Sequence, residues 1–310
     1  MKVIPIVFAF DANFEMPAGV CIYSLLSNAN SDTFYDIFIL HHSEDDFSNS
    51  RIKQLEKMFP RCRITFRTVG DVFNDSFEIR DITKATYYKL IIPVVVPEYD
   101  QILYSDIDVI FRNDLSDYYE KDLGDCFFAG VNSAPVMDSD NNKYIKSIGF
   151  DLGDSYYYAG NLLINSKLLI NKDKISDFKS HLKRKYLFQD MDIINLTCKG
   201  HIKPISLSFC MTVNYYETMV NDRDRLLAFY DEEEIDYALK YGIVHYNGAK
   251  PWKEVCLNMD IWWEYYRKSI FFDEKFAHDF WFNQTYRIEK MSLWKRIKQV
   301  ARYFRKGGRM

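Results

Sequence analysis

The 310-residue chain is long enough for one large α/β domain with an appendage, or for two small domains. Hydrophobic residues make up 48% of it and aromatic residues 17%, which excludes a largely disordered chain and supplies ample core. A net charge of −4 gives no whole-chain attraction to nucleic acid.

Six cysteines, at positions 21, 62, 126, 198, 210 and 256, form no C-x-x-C pair and no zinc spacing. Most lie in apolar or helical-looking stretches, as free thiols in a reducing compartment do. Pro5 interrupts the apolar opening, and Asp11 arrives too soon for a secretory signal. No stretch approaches the roughly eighteen apolar residues that a membrane span requires. A cytoplasmic location is expected.

Val3 to Phe10 is a dense apolar run of strand length, and its continuous hydrophobicity predicts burial on both faces, as in a parallel sheet. Pro17 falls where a helix can begin, and Val20, Tyr23, Ser24 and Leu26 to Ser27 continue at helical spacing. Asp36 to Leu40 reads as a strand leading into His41-His42-Ser43-Glu44. A helix is predicted over Phe47 to Met58 and a third strand over Arg63 to Thr68. This βαβαβ alternation is the signature of a nucleotide-binding half-sheet. Lys84 to Ile91 follows, with Pro93 and Pro97 expected to end any helix there.

Tyr99 to Leu103 is the next strand, and it opens onto Ser105-Asp106-Ile107-Asp108. Two carboxylates one residue apart at the exit of a buried strand can converge on one hard cation, where open α/β sheets bind ligands. Asp-x-Asp also occurs often by chance, in solvated loops. Cys126 to Val131 reads as a buried strand, and Asn132 to Asp154 as a polar loop that leaves the sheet and carries acceptor contacts. Tyr156 to Asn165 returns to the sheet, Asp177 to Leu187 is helical, and Asp190 to Leu196 begins a helix with acids in its first turn. Ile243 to Tyr246 is a late strand running into Asn247-Gly248-Ala249-Lys250-Pro251-Trp252. The stretch Trp262 to Phe272 predicts an aromatic helical extension beyond a break in character near Cys256.

Taken in order, Phe8 to Phe14, Ala85 to Leu90, Ser105 to Asp108, Ala159-Gly160 before Leu162 to Asn165, Asp190 to Asn195 and His245 to Trp252 resemble glycosyltransferase family 8. Its better-known bacterial members are lipopolysaccharide galactosyl- and glucosyltransferases. The likeness covers roughly residues 3 to 255. It implies an α/β fold of the GT-A type, a nucleotide-sugar-binding, Rossmann-like mixed sheet flanked by helices. It also implies a UDP-hexose donor, with glucose or galactose moved to a glycan acceptor such as lipopolysaccharide with retention of configuration. The implied cofactor is Mn²⁺, with Mg²⁺ as the alternative.

By position, Asp106, Asp108 and His245 would hold the metal. Imidazole shifts the preference toward Mn²⁺, because Mg²⁺ favours oxygen ligands. Ala9, Asp11 and Asn13 fall in the nucleotide-binding stretch, where Asp11 and Asn13 match residues contacting uracil and ribose. Asp and Asn also serve as local turn formers. Lys89 would reach toward donor phosphate or sugar, and Gly248 and Lys250 would approach the diphosphate. Asp190 is the candidate catalytic carboxylate, as nucleophile or as electrostatic support for an oxocarbenium-like centre, and Asp192 is the runner-up. Capping of a helix is the structural alternative for both.

Three positions depart from the family pattern. Only Ala249 separates Gly248 from Lys250, where two residues are usual; Tyr158 stands where Asn is common; and Met191 replaces the glutamine of Asp-Gln-Asp. These departures raise a rival reading, a nucleotide-sugar-binding protein of the same fold with impaired catalysis. A nucleotidyltransferase is disfavoured by the absence of a Gly-rich loop after the first strand.

From Met291 onward, basic residues at 295, 296, 298, 302, 305, 306 and 309 oppose an apolar stripe of Leu293, Trp294, Ile297, Val300, Ala301 and Phe304 at helical spacing. That pattern predicts an interfacial helix on anionic lipid. The expected organisation is a transferase domain over 1–256 and a helical extension over 257–310, with a membrane-associating tail from 291. The expected partners are UDP-hexose, a glycan or lipid-linked saccharide acceptor and the inner membrane face, with no nucleic acid.

Overall fold

The structure, a computed structural model, describes residues 1–42, 47–73, 76, 84–151 and 153–305. Ser43 and Glu44, Leu152 of the predicted polar loop, and Lys306 and Arg309 of the basic tail lie outside the described residues.

The first strand, β1 (Lys2–Ala9), is buried from Ile4 onward, as its unbroken apolar run requires. Helix α1 (Glu15–Ser27) covers one face of the sheet with an inward stripe that includes Val20, Cys21 and Leu25. Then come β2 (Thr33–His42), α2 (Leu55–Met58) and β3 (Cys62–Val69), and the three strands run parallel. The helix expected from Phe47 begins only at Arg51, as a 3-10 turn. There the Ser50 hydroxyl accepts from the Ile52 amide and so fixes the start. Residues Lys84–Ile91 form a 3-10 helix that passes directly into α3 (Ile92–Val95). Pro93 stands in the first turn of α3, where its missing N–H is no loss, rather than ending a helix.

Strand β4 (Gln101–Ser105) lies on the other side of β1 and parallel to it, with Ile6 opposite Leu103. The chain continues through β5 (Val109–Ile110), α4 (Ser116–Tyr119), β6 (Phe128–Gly130), α5 (Ser139–Ser147) and β7 (Asn161–Asn165). Next come α6 (Ser166–Asn171), α7 (Lys174–His181), α8 (Asp190–Thr197) and β8 (Ile202–Pro204). β7 is antiparallel to β4 and β6, and the seven-stranded mixed sheet has the order β3-β2-β1-β4-β7-β6-β8. The predicted polar loop therefore contains a helix, α5, whose first amides are capped by the Asp138 carboxylate. The helix read as Asp177 to Leu187 lies earlier, at α7.

β9 (Met211–Thr212), α9 (Val213–Asn221), α10 (Arg223–Leu227), α11 (Glu232–Tyr241) and β10 (Val244–His245) follow. β5, β10 and β9 make a second sheet of three strands. The chain ends with α12 (Met259–Lys268), α13 (Glu274–Glu289) and α14 (Leu293–Arg305).

Trp262, Trp263 and Tyr266 are buried in the same core cluster as Phe8, Val20 and Leu25. Gly19 on α1 makes this possible, because a Cβ there would come within 2.2–2.4 Å of the Phe271 ring carbons. The Arg51 guanidinium lies over that ring, 5.4 Å from its centroid. All six cysteines are free, and among the described residues no helix is long and apolar enough to cross a membrane.

Candidate active site

Strand order reverses at β1, whose neighbours β2 and β4 lead away in opposite directions. The crevice outside the carboxyl ends at such a switch point is where open α/β sheets take ligands. Ala9 and Phe10 leave β1 there and Asp106 leaves β4, and together they border a cleft of about 620 Å³.

Two pairings assemble the charged floor of the cleft. The Asp106 amide donates to the Gly160 carbonyl at 2.7 Å and the Tyr246 amide to the Asp108 carbonyl at 2.9 Å. The second bond belongs to the antiparallel β5–β10 register, with His245 opposite Val109. A residue 137 positions beyond Asp108 is thereby brought beside it, and Nε2 of His245 lies 3.2 Å from Asp108 and 3.8 Å from Asp106. One donor atom each from Asp106, Asp108 and His245 falls within 4.8 Å of the others. Two carboxylates and an imidazole with donor atoms this close are a donor set that could hold a divalent cation.

Three further residues shape this cluster. Gly160 is packed so closely that a Cβ would come 2.8 Å from His245 Nδ1 and 3.0 Å from Asp106 Oδ2, and nearer still to His245 Cε1. Cys210, fully buried, places its sulfur 3.4 Å from His245 Nδ1 and so directs Nε2 toward the carboxylates. Lys250 Nζ lies 2.5 Å from the other oxygen of Asp108 and 2.6 Å from the Tyr246 carbonyl. Burial alone would raise the Asp108 carboxyl, but Lys250 and His245 outweigh it and hold the group well below its ordinary range. Burial would likewise lower His245, yet Asp108 keeps it well above its usual value.

The opposite wall is a second charge relay. Lys89, only 2% exposed, lies 2.7 Å from Asp190 and 3.3 Å from Asp106. It also donates to the Ala159 carbonyl at 3.0 Å. Desolvation opposes its charge, and the two carboxylates outweigh desolvation and raise its pKa. Asp190 receives Thr86 Oγ1 on its first oxygen at 2.7 Å and Lys89 on the second; burial pushes its pKa up against the pull of Lys89. Tyr104 completes the relay by donating to Asp106 at 2.7 Å. Lys89 thus bridges two acids of the cleft.

The remaining expected residues fall into two groups. Gly248 and Lys250 border the cleft, as do Tyr158 and Met191, and a Cβ on Gly248 would meet no atom within 4 Å. Asp11 and Asn13 do not border it, although Ala9, Phe10 and Phe14 do. The Asp11 carboxylate caps the following turn by accepting from the Asn13 amide at 2.9 Å. Asp192 is also outside the lining. Its oxygens accept from Tyr156, from Tyr144 at 2.7 Å and from the Phe188 amide at 2.8 Å, which anchors the start of α8.

Sequence reading missed Thr86, Tyr104, Cys210 and Gln189. Thr86 stands inside the Ala85 to Leu90 motif and Tyr104 directly precedes Ser105 to Asp108, whereas Cys210 carries no spacing signal. Gln189 is buried and borders the cleft with φ at +47°, a left-handed backbone that a non-glycine residue adopts at a cost of about 1 kcal/mol or more. That strained residue delivers Asp190 into the site.

The cleft lies between a candidate cation site, Asp106, Asp108 and His245, and the buried carboxylate of Asp190. The chain is 26% identical to the galactosyltransferase LgtC, solved in complex with donor and acceptor sugar analogs, over 89% of this chain and 99% of that one, with a TM-score of 0.73. It is 28% identical over 265 residues to a candidate glycosyltransferase of Haemophilus influenzae, covering 82% of this chain and 74% of that protein. A lipopolysaccharide 1,2-glucosyltransferase of Escherichia coli is 21% identical over 295 residues, 90% of this chain and 80% of the relative. Other relatives are longer, and the chain spans 60% of one and 52% of another. The mixed sheet flanked by helices is the GT-A type arrangement shared with these structures. Residues 5–256 match the profile of glycosyl transferase family 8, and the chain belongs to that family.

Proposed function

We propose that the protein is a metal-dependent, retaining hexosyltransferase that moves glucose or galactose from a UDP-sugar to a glycan acceptor of the lipopolysaccharide type. The observation that carries this reading is the convergence of Asp106, Asp108 and His245 at the switch point of the sheet. These three would hold Mn²⁺, whose chemistry there is to neutralise the charge that develops on the departing diphosphate. Lys250 supplies a second positive charge on the same side. Its ammonium is paired with Asp108 and can exchange that partner for a phosphate oxygen as a point charge.

Asp190 serves as a fixed negative charge beside the anomeric centre. Both of its oxygens already accept hydrogen bonds, from Thr86 and Lys89, which favours electrostatic support of an oxocarbenium-like transition state over attack by the carboxylate. Asp192 acts as a positioning residue, through the tyrosines that hold α8 in place. Lys89 pairs with both Asp106 and Asp190 in a buried setting, and Ala9, with Asp11 and Asn13 on the turn after it, marks the nucleoside end of the cleft.

The transferase unit is 1–256. The extension, 257–310, ends in an amphipathic tail that docks the enzyme on the inner face of the membrane. On α14, Leu293 and Trp294 are 72% and 75% exposed, and Lys295, Arg296 and Lys298 share the helix with them.

The direct test is Asp108→Asn. Removing one charged ligand should abolish Mn²⁺-dependent UDP binding in calorimetry while the melting temperature stays near that of the parent, and unchanged binding would place the metal elsewhere. The impaired-binder reading draws support from Met191 and Tyr158 in the cleft. It requires UDP-sugar binding with neither hydrolysis nor transfer.

A further inference from the structure

A second groove, of about 470 Å³, opens between the 250–253 turn and α13. It meets the donor cleft at Trp252 and Lys253, which border both. The turn is closed by the Lys253 and Glu254 amides donating to the Lys250 carbonyl. One short segment therefore presents Lys250 to Asp108 on one side and Trp252 and Lys253 to the groove on the other.

The far wall is a single stripe of α13. Phe276, Phe280, Asn283, Gln284 and Arg287 recur at helical spacing and all border the groove. The stripe changes character along its length. Phe280 is buried against Trp263, whereas Asn283, Gln284 and Arg287, further along the helix, are half-buried or exposed.

No acidic residue borders the groove. Among the described residues neither Lys253 nor Arg287 is paired with a carboxylate. Aromatic side chains, amide donors and acceptors and two cations not paired with a carboxylate, lining one groove, are the chemistry that recognises a sugar ring bearing an anionic ester. Rings stack on the apolar faces of pyranoses, amides pair with hydroxyls, and a guanidinium forks onto phosphate oxygens.

We propose that this groove is a subsite for a phosphate-bearing saccharide segment of the acceptor, one or more sugar units away from the hydroxyl that reacts. The inference rests on the transferase reading and gives it a substrate class: an acceptor that carries anionic substituents. The groove holds the acceptor by a part that takes no share in the chemistry, so its contacts act on acceptor binding rather than on turnover.

The test uses the full chain with trehalose 6-phosphate as the probe, in saturating UDP and Mn²⁺ so that the nucleotide cleft is occupied. Tryptophan fluorescence and calorimetry should report binding of the sugar phosphate and weaker binding of trehalose. Arg287→Ala should weaken the sugar phosphate by roughly tenfold, as expected for one charged hydrogen bond, and Lys253→Ala should add to that loss. Arg287 is exposed on α13, so its variant should melt with the parent.

Three results would overturn the proposal: no binding of the sugar phosphate by the parent in saturating UDP, equal binding by the double variant, or loss only of binding to phosphatidylglycerol vesicles. The last would make the cations a lipid contact. UDP-hexose hydrolysis by the parent, measured separately, tests the transferase reading itself.

Discussion

Gly160→Ala tests how tightly the cleft is built. The added methyl carbon would lie 2.8 Å from His245 Nδ1 and 3.0 Å from Asp106 Oδ2, with a closer overlap at Cε1. Non-bonded heavy atoms rest at about 3.5–4.0 Å, so the 2.2 Å contact with Cε1 requires the imidazole to recede by about 1 Å or more. It has little room. His245 is 5% exposed, Cys210 stands 3.4 Å behind Nδ1, and the backbone of β10 is paired to both β5 and β9.

The strain should cost about 1–3 kcal/mol of stability, the usual range for overpacking. The displaced imidazole should weaken Mn²⁺-dependent UDP binding and lower turnover by roughly 10²-fold, as expected for misplacement on the ångström scale. Calorimetry with UDP and Mn²⁺, beside a thermal melt, separates the two effects. If the variant binds Mn²⁺ and UDP with the parent's affinity, His245 is not a ligand and the metal assignment fails.

Asp190→Ala should reduce turnover by about 10²-fold or more while UDP affinity stays within a few fold, because the group acts on the transition state; unchanged kcat would remove it from the reaction. Cys210→Val should lower Mn²⁺ affinity about tenfold through loss of the partner that orients His245, whereas Cys210→Ser should keep most of it. Equal titrations for the two variants would contradict that role. Truncation before Met291 should release the protein from anionic vesicles in flotation, and raised salt should weaken attachment of the intact chain. Equal flotation of both forms would show that α14 is not the anchor.

Much of the half-sheet was legible in the sequence for a physical reason, and Asp106, Asp108 and His245 were legible as candidate ligands through the likeness to glycosyltransferase family 8. Buried parallel strands write continuous apolar runs, so β1 to β4 were readable to within a few residues. The acids after β4 and the motif that opens on His245, the last residue of β10, are short, ordered signals at strand ends, where ligand chemistry concentrates in α/β sheets. The 3-10 stretch before Pro93 and the capped α5 were misread because local hydrogen bonds decided them.

Tertiary structure alone decided the rest. Antiparallel pairing of β5 with β10 brings His245 to Asp108 across 137 positions, and no local pattern encodes that register. Asp190 and Asp192 look equivalent in sequence, two acids in the first turn of one helix. One lies against Lys89 in the cleft while the other is enclosed by Tyr144 and Tyr156, because side chains two positions apart on a helix point about 200° apart. Likewise Cys210 lacks any motif of its own. Its place behind His245 comes from the pairing of β9 with β10, a contact between strands of two residues each, too short to leave a periodic signal.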